Sequence, residues 1–281
     1  MSVPALIVKR RIKGFILSVV GLATAVIFLF PYITMLSTAL KPKSDITDIP
    51  PTYLPKEYIW SNFIKVFSEI AFGTYMKNTI FIALATMVIG LIASIPAGYY
   101  VARHHFRGRT FFLLVVLITQ MFSPTTLLIG IFREMSVLDL INTYTGLILV
   151  NAAFNLAFAV WILSSFFRSI PKEIEEAAQI DGCTKFQAFR IVALPLALPG
   201  IVTTAIFIFS AAWNEFVVAY TLASQPAKQP FSVGLSLLTG YYEVKWNYLF
   251  AGSLIAIIPV VLLFIFIEKY LVSGLTAGSV K

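Results

Sequence analysis

One acid stands apart from the rest. Glu215 follows the uncharged run Ile191–Asn214 and precedes another, Phe216–Ala227. A carboxyl in such apolar surroundings is a functional candidate wherever the chain crosses a membrane. It has a plainer use as well, as a hydrogen-bond or salt-bridge partner at a helix end. Position 215 lies about 36 Å along a helix from Ile191 at about 1.5 Å per residue, so it falls near one end of a span. Asn214 beside it, Gln120, Ser123, Asn151 and Asn155 are further polar side chains of the apolar runs. A site for a polar solute needs such amides and hydroxyls. Each of them could equally close an interhelical hydrogen bond.

Groups for catalysis do not assemble. There is no G-x-x-x-x-G-K-[ST] and not one Gly-Lys dipeptide, so the usual phosphate cradle is missing and ATP hydrolysis by this chain is not expected. The two histidines, His104 and His105, are adjacent, which leaves no Ser/His/Asp set and no H-E-x-x-H. They share a turn with Arg103, Arg107 and Arg109 and read as a solvated basic cluster rather than a metal site. Cys183 is the single cysteine and cannot pair within the chain. The expectation is a chain with no catalytic residue, no metal and no cofactor of its own.

One segment has the local signals of a device. Residues 168–190 read RSIPKEIEEAAQIDGCTKFQAFR. Pro171 suits a first helical turn, and Glu173, Glu175 and Glu176 lie near that helix's positive end. Ala177 and Ala178 offer a small surface for close approach. Asp181–Gly182 ends the helix, with glycine free to take positive φ. Thr184 and Gln187 have capping-box spacing for a second helix, which runs toward Pro195 and Pro199. This predicts a rigid elbow. It either docks a partner and passes movement to the attached helices, or simply connects two spans.

The elements around these residues follow from composition. Of 281 residues, 59% are hydrophobic and only 12% charged, with a mean hydropathy of +0.88. A soluble domain is ordinarily about a quarter charged, so a soluble enzyme, a disordered chain and a secreted disulfide scaffold are excluded. Six charge-free runs exceed the roughly 18–20 residues that cross a bilayer: 14–40, 78–102, 110–132, 140–167, 191–214 and 246–267. Apolar on all faces and too long for barrel strands, they predict helices. The first follows Lys9, Arg10, Arg11 and Lys13 but is too long for a signal-peptide core, so an uncleaved span is expected. With the N-terminus in the cytoplasm, the inner segments 1–13, 103–109, 168–190 and 268–281 carry 13 Lys+Arg and 5 acids, against 8 and 8 elsewhere. The whole net charge of +8 then sits on one side, which explains the basic balance without nucleic acid.

The predicted fold is an all-α integral membrane protein, a single transmembrane domain over 1–281. Its helices fall at about 14–40, 74–102, 110–132, 140–167, 191–222 and 246–267, with a cytoplasmic tail at 268–281. The outer loop 41–73 starts stiff, with Pro42, Pro50, Pro51 and Pro55, and ends in an amphipathic stretch with Ile59, Phe63, Val66, Phe67 and Ile70 at helical spacing. The last outer loop, 223–245, turns aromatic at its end and is long enough to reach a partner or line a pathway.

Glu176–Ala177–Ala178, three residues, Gly182, nine residues and Val192–Ala193–Leu194–Pro195 match the EAA---G---------I-LP motif, with valine for the usual isoleucine. The chain thereby resembles the membrane subunits of bacterial and archaeal ABC importers. The stretch EEAAQIDGCTKFQAFRIVALPLALPG is similar to their carbohydrate branch, and the tail SGLTAGSVK to the six-helix maltose-type permease subunit, as is AWNEF at 212–216. The resemblance implies a type I importer architecture with a coupling-helix loop at 168–190 and a multi-pass inner-membrane location with both termini cytoplasmic. It implies binding-protein-dependent sugar transport. Glu176, Ala177, Ala178, Asp181 and Gly182 would then meet an ATPase subunit, which carries the ATP and Mg. Gly274, Leu275, Thr276, Ala277 and Gly278 would reach into the ATPase dimer. Thr239, Tyr241, Tyr242 and Trp246 would touch an extracytoplasmic solute-binding protein. A second, distinct permease chain would complete the pathway. A phosphorylated polyol or phosphodiester is the alternative solute. A stand-alone secondary transporter is a different reading, and it would need intramembrane acids or an inverted repeat. A membrane enzyme would need the missing nucleophile and base.

Overall fold

The computed structural model describes residues 3–50, 52–240 and 242–277. Among the described residues the chain is helical, and its one extended pairing is the isolated bridge Thr239–Val244. It forms two compact units.

The first unit is Met1–Ile70 with Leu237–Ile257. Its helices are α1 (Val3–Ala39), α2 (Lys43–Ile46), α3 (Asn62–Glu69) and the start of the last helix. From Lys13 onward α1 is apolar on every side, as a membrane span must be. The proline-rich connection is tied back by polar bonds. Buried Asn62 donates from Nδ2 to the carbonyls of Ala39 (2.8 Å) and Lys41 (3.1 Å), and Lys41 Nζ donates to the carbonyl of Thr52. The amphipathic stretch is helical only over α3, yet its spacing survives: Ile59, Phe63, Val66 and Ile70 are at least half-buried while Phe67 is exposed.

The second unit is Ala71–Ser236 with Ile258–Lys281. It holds α4 (Phe72–Arg103), α5 (Arg109–Thr119), α6 (Pro124–Val137), α7 (Tyr144–Ser169), α8 (Lys172–Ile180), α9 (Lys185–Ala188), a π-turn (Phe189–Ala193), α10 (Leu194–Leu196), α11 (Leu198–Trp213), α12 (Val217–Leu222) and α13 (Phe231–Ser236). The last helix, α14, spans Trp246–Ala277. Small residues let α4, α7 and α11 approach closely, the ordinary device of membrane helices. A Cβ on Gly98 would stand 2.7 Å from that of Leu163, and one on Gly200 would stand 2.3 Å from Cγ of Phe166. Ile82, Leu147, Val218 and Leu222 form one buried cluster, and Ala102, Leu163, Phe167 and Ala193 another.

Four helices are long and apolar enough to cross a membrane alone: Lys13–Ala39, Phe72–Arg103, Tyr144–Ser169 and Trp246–Ile267. The other two expected runs are broken. The third bends by 94° between α5 and α6. Pro124 has no N–H to continue the ladder and forces Ser123 into extended backbone (ψ 136°), so a new helix starts there. The fifth bends by 72° between Leu196 and Leu198, next to Pro195 and Pro199. It then stops at Trp213 and restarts at Val217, so the helix expected over 191–222 is in three pieces. The fourth run also begins late, at Tyr144. Asp139 and Asn142 take positive φ (53° and 58°) ahead of it, and the Thr143 hydroxyl caps it by accepting from Gly146 N–H.

Candidate functional site

The elbow is built by local rules. Pro171 sits one residue earlier than expected, as the N-cap of α8 with ψ 135°, and Glu173 and Glu175 fill the first turn beside the unpaired N–H groups. The far end closes in a Schellman arrangement. Gly182 N–H donates to the carbonyl of Gln179 (3.1 Å) and Cys183 N–H to that of Ala178 (3.0 Å), with Gly182 at φ 96°. A full capping box opens α9. Thr184 N–H donates to Gln187 Oε1 (2.7 Å), and Gln187 N–H donates to Thr184 Oγ1 (3.3 Å). The chain then loosens into the π-turn, where Leu194 N–H reaches back five residues to Phe189, just before Pro195 withholds an N–H.

Facing matters more than sequence order on α8. Positions 173, 176, 177 and 180 share one side of a helix, and position 175 lies opposite. Glu176, Ala177, Asp181 and Gly182 are exposed and Ala178 is half-buried. Ile180 on the same side is 86% exposed, and Phe186 on α9 is 70% exposed. Both are apolar side chains left bare on an otherwise polar loop.

Across the helix, Glu175 is the one buried side chain of α8 among the described residues. It meets Arg103 from the end of α4 in a buried ion pair. Arg103 donates from Nε (2.8 Å) and from Nη2 to Glu175 Oε1, and from Nη1 to the carbonyl of Ile170 (3.1 Å). Tyr99 Oη donates to Glu175 Oε2 at 2.6 Å. This corrects the reading of Arg103 as part of a solvated turn, which holds for exposed His104, His105 and Arg107 only. No spacing rule could have revealed the pair, because its members lie 72 residues apart.

The candidate pathway residues divide. Gln120, Asn151, Asn155 and Glu215 line one cavity of about 200 Å³ with Phe154 and Pro124. Gln120 donates from Nε2 to the carbonyl of Phe154 (2.9 Å), whereas Asn151 and Asn155 donate to carbonyls of their own helix. Glu215 caps α12, accepting from Val218 N–H (2.7 Å) and Ala219 N–H (2.9 Å). Ser123 and Asn214 are exposed and line no part of this cavity. Ser123 pairs with the Thr125 hydroxyl, and Asn214 donates to the carbonyl of Ser210.

In the first unit the loop ahead of α14 folds back on itself, with Gly240 N–H donating to the carbonyl of Glu243 and Thr239 bridging Val244. Two ion pairs hold it, Lys43–Glu243 (2.7 Å) and Lys245–Glu69 (2.5 Å). They frame a cavity of about 790 Å³ that Tyr242 and Trp246 also line. Hydrogen bonding to the Glu69 carboxylate raises the Lys245 ammonium above its ordinary value. Tyr241 and Gly278 lie outside the described residues. Gly274, Leu275, Thr276 and Ala277 belong to the end of α14. No group of His, Cys, Asp and Glu suited to a metal occurs among the described residues.

Residues 94–276 match the family described as binding-protein-dependent transport system inner membrane component. The chain is 35% identical over 253 residues to the sulfoquinovosyl glycerol transport system permease protein of Agrobacterium fabrum, covering 90% of this chain and 89% of the other. It is 34% identical over 277 residues to the trehalose/maltose transport system permease protein of Thermococcus litoralis, covering 97% and 99%. Among solved structures it is similar to a chain of a bacterial ABC transporter involved in the import of the acidic polysaccharide alginate. There the TM-score is 0.75 at 26% identity, over 93% of this chain and 97% of that one.

Proposed function

The chain belongs to the family of inner membrane components of binding-protein-dependent transport systems, and from that premise we propose that it is a permease subunit of an ATP-driven importer for a sugar or oligosaccharide. An extracytoplasmic binding protein delivers solute to a pathway between this chain and a second, distinct permease chain. ATPase subunits, which hold the ATP and Mg, grip the exposed face of the elbow at Glu176, Ala177, Ala178, Asp181 and Gly182. Their closure tilts the attached helices and switches the pathway between outward- and inward-facing states. Both termini lie in the cytoplasm. Gly274, Leu275, Thr276, Ala277 and Gly278 extend toward the ATPase dimer, and Thr239, Tyr241, Tyr242 and Trp246 toward the binding protein.

The observation that carries this reading is the elbow. It is a short capped helix anchored on one side by a buried ion pair, with bare Ile180 and Ala177 of the motif on the other. The amides gathered at Gln120, Asn151 and Asn155 support a neutral polyhydroxyl solute. No cationic side chain lines that cavity among the described residues, which disfavours a phosphodiester. The test is purification in mild detergent followed by reconstitution with the co-purifying chains. An ATPase and a second permease chain should accompany this one, and oligosaccharides should stimulate ATP hydrolysis while glycerol phosphodiesters do not. A chain that purifies alone and binds no ATPase when one is supplied would overturn the reading.

A further inference from the structure

The attachment of α8 is unusual in one respect. The one buried side chain of α8 among the described residues is a carboxylate and not an apolar group. Beside it opens a cavity of about 630 Å³ lined by Tyr100, His104, Lys172, Gln179 and Phe186, so much of its inner side meets no packed core. What does hold it is the Arg103 guanidinium, only 8% exposed, against the Glu175 carboxylate, only 7% exposed. Both carboxylate oxygens are taken, one by Arg103 and the other by Tyr99. Arg103 Nη1 also holds the carbonyl of Ile170, in the turn that leads into α8. One side chain of α4 therefore grips the helix and the link ahead of it together.

The base of this grip is stiff. The Tyr99 ring packs against Phe167 of α7 (5.4 Å between centroids) and Phe189 of the π-turn (4.5 Å). The route along the chain is longer, since it passes through Gly182, the exposed residues 184–187, the π-turn and the bend between Leu196 and Leu198 before α11. A pull on α8 thus has two paths, a long covalent one to α11 and a short one through Arg103 to α4.

We propose that Arg103 is a positioning residue that locks α8 to the cytoplasmic end of α4, so that both move as one piece when the ATPase pulls on the elbow. The proposal rests on the importer reading above. Arg103 touches neither solute nor ATPase in it, and its effect is on how much of the ATPase stroke reaches the pathway.

The test uses the complete importer, reconstituted in vesicles with its ATPase, second permease chain and binding protein. The double substitution Arg103→Met with Glu175→Met removes the grip and leaves no buried charge unpaired. Apolar replacement of a buried pair commonly preserves folding. Assembly should be retained, while solute moved per ATP falls at least about fivefold, the low end of ordinary coupling between sites. Tyr99→Phe, which leaves the ion pair, should fall less. Spin labels at Lys172→Cys and Arg107→Cys, in a Cys183→Ala background, report the lock directly. With Arg103 and Glu175 in place the label distance should be narrow and the same with and without trapped ATP; in the double variant it should broaden. Wild-type stoichiometry in the double variant overturns the proposal, as does an ATP-dependent distance in the unsubstituted pair. Should the double variant fail to assemble, that distance decides alone. Failure of any ATPase to bind the unsubstituted chain overturns the importer reading instead, and the lock with it.

Discussion

Substitution at Gly182 isolates the backbone of the elbow from its side chains. The residue stands at φ 96°, and a Cβ built there meets nothing within 4 Å. A new side chain therefore pays no packing penalty, and the whole cost is conformational. An L-residue in the left-handed region costs about 1–2 kcal/mol. Gly182→Ala should show that amount, Gly182→Val at least as much because it is β-branched, and Gly182→Asn less because asparagine tolerates the region. Helix α8 has 9 residues, below the roughly 12–15 at which an isolated helix persists in water, so its closing bonds matter. If only the intact elbow docks, 1–2 kcal/mol weakens ATPase binding by at most about 5–30-fold. The assay is titration of the purified ATPase subunit against the solubilised permease pair, with membrane insertion measured in parallel. Insertion should be unchanged and affinity should fall in the order Asn, Ala, Val. Equal affinities for wild type, Asn and Val, with undiminished uptake, would refute the view that the left-handed turn presents the docking face.

Other outcomes follow from the same geometry. Gly200→Ala drives a methyl into the Phe166 ring at 2.3 Å and should destabilise the bundle by about 1–3 kcal/mol, whereas Gly90→Ala meets only the flexible tip of Ile208 and should cost less; thermal unfolding in detergent compares them. Thr184→Ala removes the capping box and should weaken α9 by about 1 kcal/mol, seen as faster amide exchange at Gln187, and a rate equal to wild type would deny the cap any role. The Lys245 ammonium is raised by Glu69, so its contribution to the folded loop is complete below the ordinary lysine value and is lost only as pH climbs through the raised one. Amide exchange in residues 238–245 should thus be insensitive to Lys245 from neutral pH to about 10 and accelerate above it; loosening of that loop below pH 9 that Lys245→Met abolishes would contradict the assignment.

Local physics was legible in the residue order. Charge-free length marked the spans, because a bilayer admits few charges and demands about 20 apolar residues. The capping box at Thr184 and the glycine stop at Gly182 were readable because their bonds join residues three to five apart. Charge-free length did not show the breaks at Pro124 and near Pro195, since the helices expected over 110–132 and 191–222 continue through them, and neighbouring helices set their 94° and 72° angles. Nor did any spacing place Gln120 of one broken span beside Asn155 of α7, or pair Arg103 with Glu175. Charge counting treated Arg103 as one more inner-face cation. The crossing of α4 over α7, allowed by Gly98 against Leu163, brings its guanidinium to a buried carboxylate. The sequence by itself determined a helical membrane chain with a capped elbow, through interactions within a few residues. The tertiary structure decided what grips that elbow, because long-range partners depend on helix packing and no local pattern records it.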